Sequence, residues 1–311
     1  MIKVTVLSVF AVVLVQAAAS WKAMDPEQTL YVYKRCYEDH LPAGDKKLIY
    51  LKTWNAWKLE PNDAITQCYV KCVLTGLQLY DDREKKFKPE TIPIQHDAFK
   101  TLNEANARDV EQFSKALAKA NAGTGSCIDL YNAYVPVHNK HVNVTRKLYH
   151  GTVVGAARIY AAMPEIKQKG ESYFAFCKKR AWNGKNKPDE RYKLTGSAEL
   201  RKEIDCIFRG LRYMDDGGLK VDEVVRDFNL INRSDLEPEV RSILASCQGT
   251  EAYDYYSCLV NSAIKEDFKK AFDFHELRSA DYAYLLRGKV YEGPEKVKLE
   301  MQKINTTVHS D

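Results

Sequence analysis

Apolar residues along this chain recur mostly at intervals of three and four, and runs of strict alternation are few. That period predicts amphipathic helices rather than strands. The clearest instance is residues 63–77, DAITQCYVKCVLTGL, where Ile65, Cys68, Tyr69, Cys72 and Val73 fall at offsets 0, 3, 4, 7 and 8 and share one predicted face. Asp63 stands at the N-cap position and Gly76 near the predicted end. Two cysteines on one face can tether this helix to two others. Three helices stapled at one point need little core of their own and can enclose a cavity, towards which Tyr69 would point. A chelating cysteine pair is the competing reading, but zinc patterns want two such pairs or nearby histidines, usually at tighter spacing.

The rest of the chain repeats the helical theme. A helix is predicted from Asp25 through Leu30, Tyr33 and Cys36, with a break at Pro42-Ala43-Gly44. The segment LIYLKTWNAW then places Trp54 and Trp57 three apart on one face, and Pro61 closes it. Residues 81–94 (DDREKKFKPETIPI) read as a polar loop and residues 99–120 as one helix. Gly123-Thr124-Gly125 breaks that pattern and Cys127 opens the next helix. After a pause at Met163-Pro164-Glu165 the pattern restarts with SYFAFC, a lysine-rich loop and a helix from Ser197 carrying Cys206. The segment YMDDGGLKVDEVVRDF reads as a turn at Gly217-Gly218 before a helix from Val221; its acidic spacing does not fit a calcium loop. The last strong helix is predicted to carry Val260, Ala263, Ile264, Phe268, Ala271 and Phe272 on one face, ahead of a tyrosine-rich, basic tail.

The eight cysteines fall into two sets of four: Cys36, Cys68, Cys72 and Cys127, then Cys177, Cys206, Cys247 and Cys258. Within each set three pairings are open. The grouping predicts an all-α chain of two disulfide-stapled domains, residues 21–165 and 166–311. Residues 1–20 carry Lys3, an apolar run and then Ala17, Ala18, Ala19 and Ser20, the pattern of a cleaved secretory signal. Secretion makes disulfides the expected state of all eight cysteines, and makes Asn143, Asn232 and Asn305 candidate glycosylation sites.

Charge adds little. Forty-seven basic against forty-two acidic residues leave +5, too dispersed for a nucleic-acid surface but suited to small anions. No later stretch is apolar for long enough to span a membrane. No nucleophile elbow, phosphate loop or zinc-protease motif is present, so no enzyme is expected and no cofactor. His138 and His141, with His150 close by, could hold a metal, but hydrogen-bonding histidines are the simpler reading. Asp273 and Glu276 share a helix face and offer a cation patch. Trp54, Trp57 and Tyr69 are large side chains suited either to plain core or to a small-molecule pocket.

Several short blocks occur together: Arg35 to Asp39 (RCYED), the two tryptophans, QCYVKC ending at Cys72, YVPVH from Tyr134, His150-Gly151, RDF from Arg226, and YYSCLV from Tyr255. Over essentially the whole mature chain this combination resembles the long-form, two-domain "D-seven" salivary proteins of blood-feeding mosquitoes, relatives of insect odorant-binding proteins. The resemblance implies two odorant-binding-protein-like domains and a monomer that scavenges host mediators. It implies an eicosanoid pocket (thromboxane, cysteinyl leukotrienes) in the first domain, with Trp54, Trp57 and His150 in its wall, Tyr69 bonding a ligand oxygen and Lys169 meeting the ligand carboxylate. It implies an amine-type pocket in the second, with Tyr256, Asp273, Glu276 and Arg191. There, Glu203 stands where a histidine is expected and an extra disulfide is missing, so weak or no amine binding is expected. The implied pairings are Cys36–Cys72, Cys68–Cys127, Cys177–Cys206 and Cys247–Cys258. Alternatives are adenine-nucleotide capture by Lys178, Lys179, Arg180, Lys185 and Lys187 or at the domain junction, biogenic-amine capture, and inhibition of haemostasis through a protein contact.

Overall fold

The computed structural model describes residues 21–183 and 191–308, with side chains as far as residue 304. The predicted signal segment, Lys185, Lys187 and the Asn305 side chain lie outside the described residues.

Local capping chemistry starts most of the helices in the first half. Helix α1 (Pro26–His40) opens on a capping box, with the Asp25 carboxylate accepting from the Gln28 N–H and the Gln28 side chain accepting from the Asp25 N–H. After α2 (Lys47–Asn55), Asp63 caps α3 (Ala64–Gly76) by accepting from the Thr66 N–H at 2.9 Å. A two-residue hairpin, β1 (Tyr80–Asp81) with β2 (Lys86–Phe87), leads to α4 (Thr91–Phe99). Asn106 then caps α5 (Ala107–Ala118) and Ser126 caps α6 (Cys127–Leu148), with α7 (Val153–Ala162) after them.

The second half repeats the plan. Serines cap α8 (Tyr173–Trp182) and α9 (Ala198–Gly210). A second hairpin, β3 (Met214–Asp215) with β4 (Gly218–Leu219), precedes α10 (Val221–Leu230), α11 (Glu237–Ser246), α12 (Ala252–Val260), α13 (Lys265–Ala280) and α14 (Pro294–Val308). Buried side chains gather in two clusters. One includes Trp54, Leu74, Phe113 and Leu148, and the other Phe174, Phe208, Phe228 and Phe272. The architecture is all-α, with helices packed around two buried clusters.

Disulfides join Cys36 of α1 to Cys72 of α3, and Cys68 of α3 to Cys127 of α6. Cys177 of α8 joins Cys206 of α9, and Cys247 joins Cys258 of α12. These are the pairs that the resemblance implies. Three helices are therefore pinned through α3. Gly76 lets α1 and α3 approach, since a Cβ there would lie 2.5 Å from Val32 Cγ1.

The structure departs from the periodicity in four places. The buried line of α3 runs through Thr66, Tyr69, Val70 and Leu74, so the cysteines sit at its edges, where their sulfurs reach sideways to α1 and α6. Trp57 is not on a helix face with Trp54: α2 ends at Asn55 and Trp57 has a φ of +61°. Residues 99–120 are not one helix. Helix α4 begins inside the expected loop, because Pro93 falls in its first turn, where a missing N–H costs nothing. Its end and the Asn106 cap leave residues 100–106 as a connection. Finally, Val260 ends α12 and α13 starts at Lys265, so the expected final face is split by a turn. The tail, read from sequence only as tyrosine-rich and basic, contains α14.

Helix α1 also binds the two clusters together. Arg35 pairs with Glu223 and Glu38 with Arg226, each at 2.6 Å. Tyr31 meets Tyr282 edge to face, and buried Glu27 pairs with buried Lys167 at 2.5 Å.

Candidate functional site

The stapled helices enclose a cavity of about 480 Å³ in the first cluster, within the range of small-molecule sites. Helix periodicity builds its wall. From α1 it receives Pro26, Thr29, Leu30, Tyr33, Lys34 and Tyr37, at offsets 0, 3, 4, 7, 8 and 11. Helix α7 adds Val153, Ala156, Ala157 and Tyr160, at offsets 0, 3, 4 and 7. Sequence reasoning missed both stripes, although their spacing was there to find. It also missed Tyr134, one turn from His138 on α6.

All five residues that the resemblance assigns to a lipid pocket line this one cavity: Trp54, Trp57, Tyr69, His150 and Lys169. Trp54 and Tyr69 stack at 3.8 Å with ring planes 4° apart. The Trp54 Nε1 and Tyr33 hydroxyl, both buried, have no hydrogen-bond partner among the described residues. Trp57 is held from four sides. Its carbonyl faces His138 Nε2 at 2.9 Å, its ring meets Tyr33 edge-on and lies under Arg146, and Gly151 approaches it closely. A Cβ on Gly151 would lie 1.9 Å from the ring, so only glycine fits there. Lys169 is exposed.

The histidines do not form a metal cluster. His138 bonds the Trp57 carbonyl, His141 packs on Phe113, and His150 bonds the Met24 carbonyl at 2.8 Å. Among the described residues no group of three potential ligands is suited to a metal. Phe99 lies edge-on to His150 at 4.8 Å, and burial lowers the His150 pKa to about 4, against the partial support of that carbonyl. An unfolded histidine titrates near 6.5. Between those values the unfolded chain takes up the proton first, so stability falls as the pH drops. The expected loss attributable to His150 is about 2 kcal/mol at pH 5 relative to pH 7. Urea midpoints of wild type and His150→Asn at the two pH values measure it; asparagine tolerates the φ of +57°. Equal losses in both proteins would exclude His150 as the source.

In the second cluster the amine-type residues also meet, but they satisfy one another. Arg191 Nη1 lies 3.0 Å from Glu276 and 3.3 Å from Asp273. Tyr192 donates to Asp273 at 2.6 Å, Ser172 donates to Glu276 at 3.2 Å, and the Tyr256 hydroxyl donates to the Arg191 carbonyl. The Arg191 guanidinium rests on the Phe174 ring. Burial raises the Glu276 pKa despite Arg191. Glu203 is buried and accepts from Trp182 Nε1 at 2.7 Å. Of the expected basic run, Lys178, Lys179 and Arg180 are exposed; Lys179 pairs with Glu171, and Arg180 covers Phe176.

Residues 160–262 match the PBP/GOBP family. Over 308 residues, 98% of each chain, the sequence is 72% identical to the long form salivary protein D7L2 of Anopheles gambiae. The chain belongs to the long-form D7 salivary protein family. That family has a ligand-binding fold and is not a known enzyme family. Among solved D7 structures, the AnSt-D7L1–U46619 complex is 69% identical, with a TM-score of 0.88 over 92% of this chain and 98% of that one. The AeD7–leukotriene E4 complex is 32% identical, with a TM-score of 0.80 over 88% and 96%. A Culex quinquefasciatus D7 long form 1 in complex with ADP is 28% identical, with a TM-score of 0.79 over 92% and 98%. No described helix is long and apolar enough to cross a membrane.

Proposed function

We propose that this D7 protein sequesters eicosanoids, thromboxane and cysteinyl leukotrienes, in the cavity of its first cluster, as a monomeric, stoichiometric scavenger acting against haemostasis and inflammation. The observation that carries this reading is the cavity itself. An apolar, aromatic chamber with lysines on its wall complements an apolar chain ending in an acid. Relatives of the same fold hold U46619, a thromboxane analogue, and leukotriene E4. In the second cluster Asp273 and Glu276 already share Arg191 as a cationic partner in the place an amine would take, which argues against strong amine binding. Nucleotide capture is favoured less, since Lys179 is committed to Glu171.

Calorimetric titration with U46619, leukotriene E4, serotonin and ADP tests the proposal. We expect one tight lipid site and no serotonin heat. Tyr69→Phe is expected to weaken U46619 about twofold to tenfold, the value of one hydrogen bond. Absence of lipid heat would overturn the proposal, and ADP heat alone would replace it with the nucleotide reading.

A further inference from the structure

Two lysines line the cavity, and the second, Lys34, has no acidic partner among the described residues. It lies on the cavity stripe of α1, half-buried, with its Nζ 5.2 Å from the Tyr37 ring centroid. A helix normally offers a lysine a carboxylate one turn away. Here that residue, Glu38, is committed to Arg226 at 2.6 Å. The neighbouring acids are likewise engaged, Asp39 with Arg35 at 2.7 Å and Glu223 with Arg35 at 2.6 Å. Arginine holds carboxylates through a planar fork that a lysine cannot match. No carboxylate among the described residues comes within ion-pair distance of Lys34. Burial, with Arg287 adding repulsion, disfavours its charged form. A partly desolvated cation beside an apolar chamber gains from an anion that arrives there.

The two lysines serve different parts of the wall. Lys169 follows two residues after Lys167, which is fixed to Glu27 in the first turn of α1. Lys34 lies seven residues beyond Glu27, about 10 Å along the helix axis. A ligand with acid groups at two places can meet a cation at each.

We infer that Lys34 is a second anion subsite, which selects apolar-chain ligands carrying two carboxylates over those carrying one. This rests on the lipid-binding reading above. Leukotriene E4 has two carboxylates and U46619 has one, so the pair reads the selectivity directly. Wild type, Lys34→Met, Lys34→Arg and Lys169→Met would each be titrated with both ligands, with melting curves as the check on folding. Methionine keeps the length of the apolar stem and removes the charge. Lys34→Met is expected to weaken leukotriene E4 by about tenfold or more and U46619 by less than about threefold, and Lys34→Arg to retain most of the affinity. Lys169→Met is expected to weaken both ligands. Unchanged leukotriene affinity in Lys34→Met, or equal losses for the two ligands, would overturn the subsite while leaving the lipid reading in place. A wild-type protein that binds neither ligand would overturn that reading itself, and the subsite with it.

Discussion

Replacing Cys68 and Cys127 together by alanine is expected to lower the unfolding free energy by about 4 kcal/mol, the chain-entropy value for a loop of this length. The bridge closes a separation of 59 residues, and it is one of the two that pin α3. Its loss also acts locally. Tyr69 follows Cys68 directly and stacks on Trp54, so freeing α3 from α6 loosens the aromatic wall of the cavity. Stability and ligand affinity should therefore fall together. Removing Cys177–Cys206 in the second cluster should cost stability with far less effect on lipid affinity. Guanidinium unfolding and lipid titration on the two double variants separate these outcomes. Equal affinity losses in both would refute the local role given to α3.

The second large effect is expected at Asp227, about 3–5 kcal/mol of lost stability in Asp227→Asn. This carboxylate is 1% exposed and accepts from the Tyr213 hydroxyl, His275 Nδ1 and Arg278 Nη2. It thereby joins α10 to α13 and to the residue before β3. Burial opposes its ionisation, but the Arg278 charge and the hydrogen bonds from His275 and Tyr213 hold its carboxyl well below the usual range. An asparagine has no charge to set against Arg278, which is itself only 6% exposed. Arg278→Met in the Asp227→Asn background should recover part of the loss, because an apolar side chain has no need of a buried partner. Urea denaturation measures both steps. A cost below about 1 kcal/mol for Asp227→Asn would mean that water or a rearranged side chain replaces the carboxylate.

Neither network could be read in full from the chain. The motif that contains Asp227 was visible as Arg226-Asp227-Phe228, yet nothing in it announces that residues 48 and 51 positions later will close on the same carboxylate. Lys34 is a similar case. Its helix could be read from the Asp25–Gln28 capping box and the apolar spacing, but its loss of Glu38 depends on Arg226, a residue of the other cluster.

What the sequence determined by itself is the part of the fold written in short-range chemistry. Capping residues such as Asp25, Asp63, Ser126 and Ser197 satisfy N–H groups only two or three positions away, so they mark helix starts without reference to the rest of the chain. The helical period and the even cysteine count likewise pointed to stapled helices. The tertiary structure alone decided which face of α3 turned inward, where Trp57 left the helix, and which lysine was left without an acid. Those outcomes depend on competition among groups brought together from distant parts of the chain. Burial then sets the terms, because a charge or a ring removed from water must take whatever partner the packing supplies.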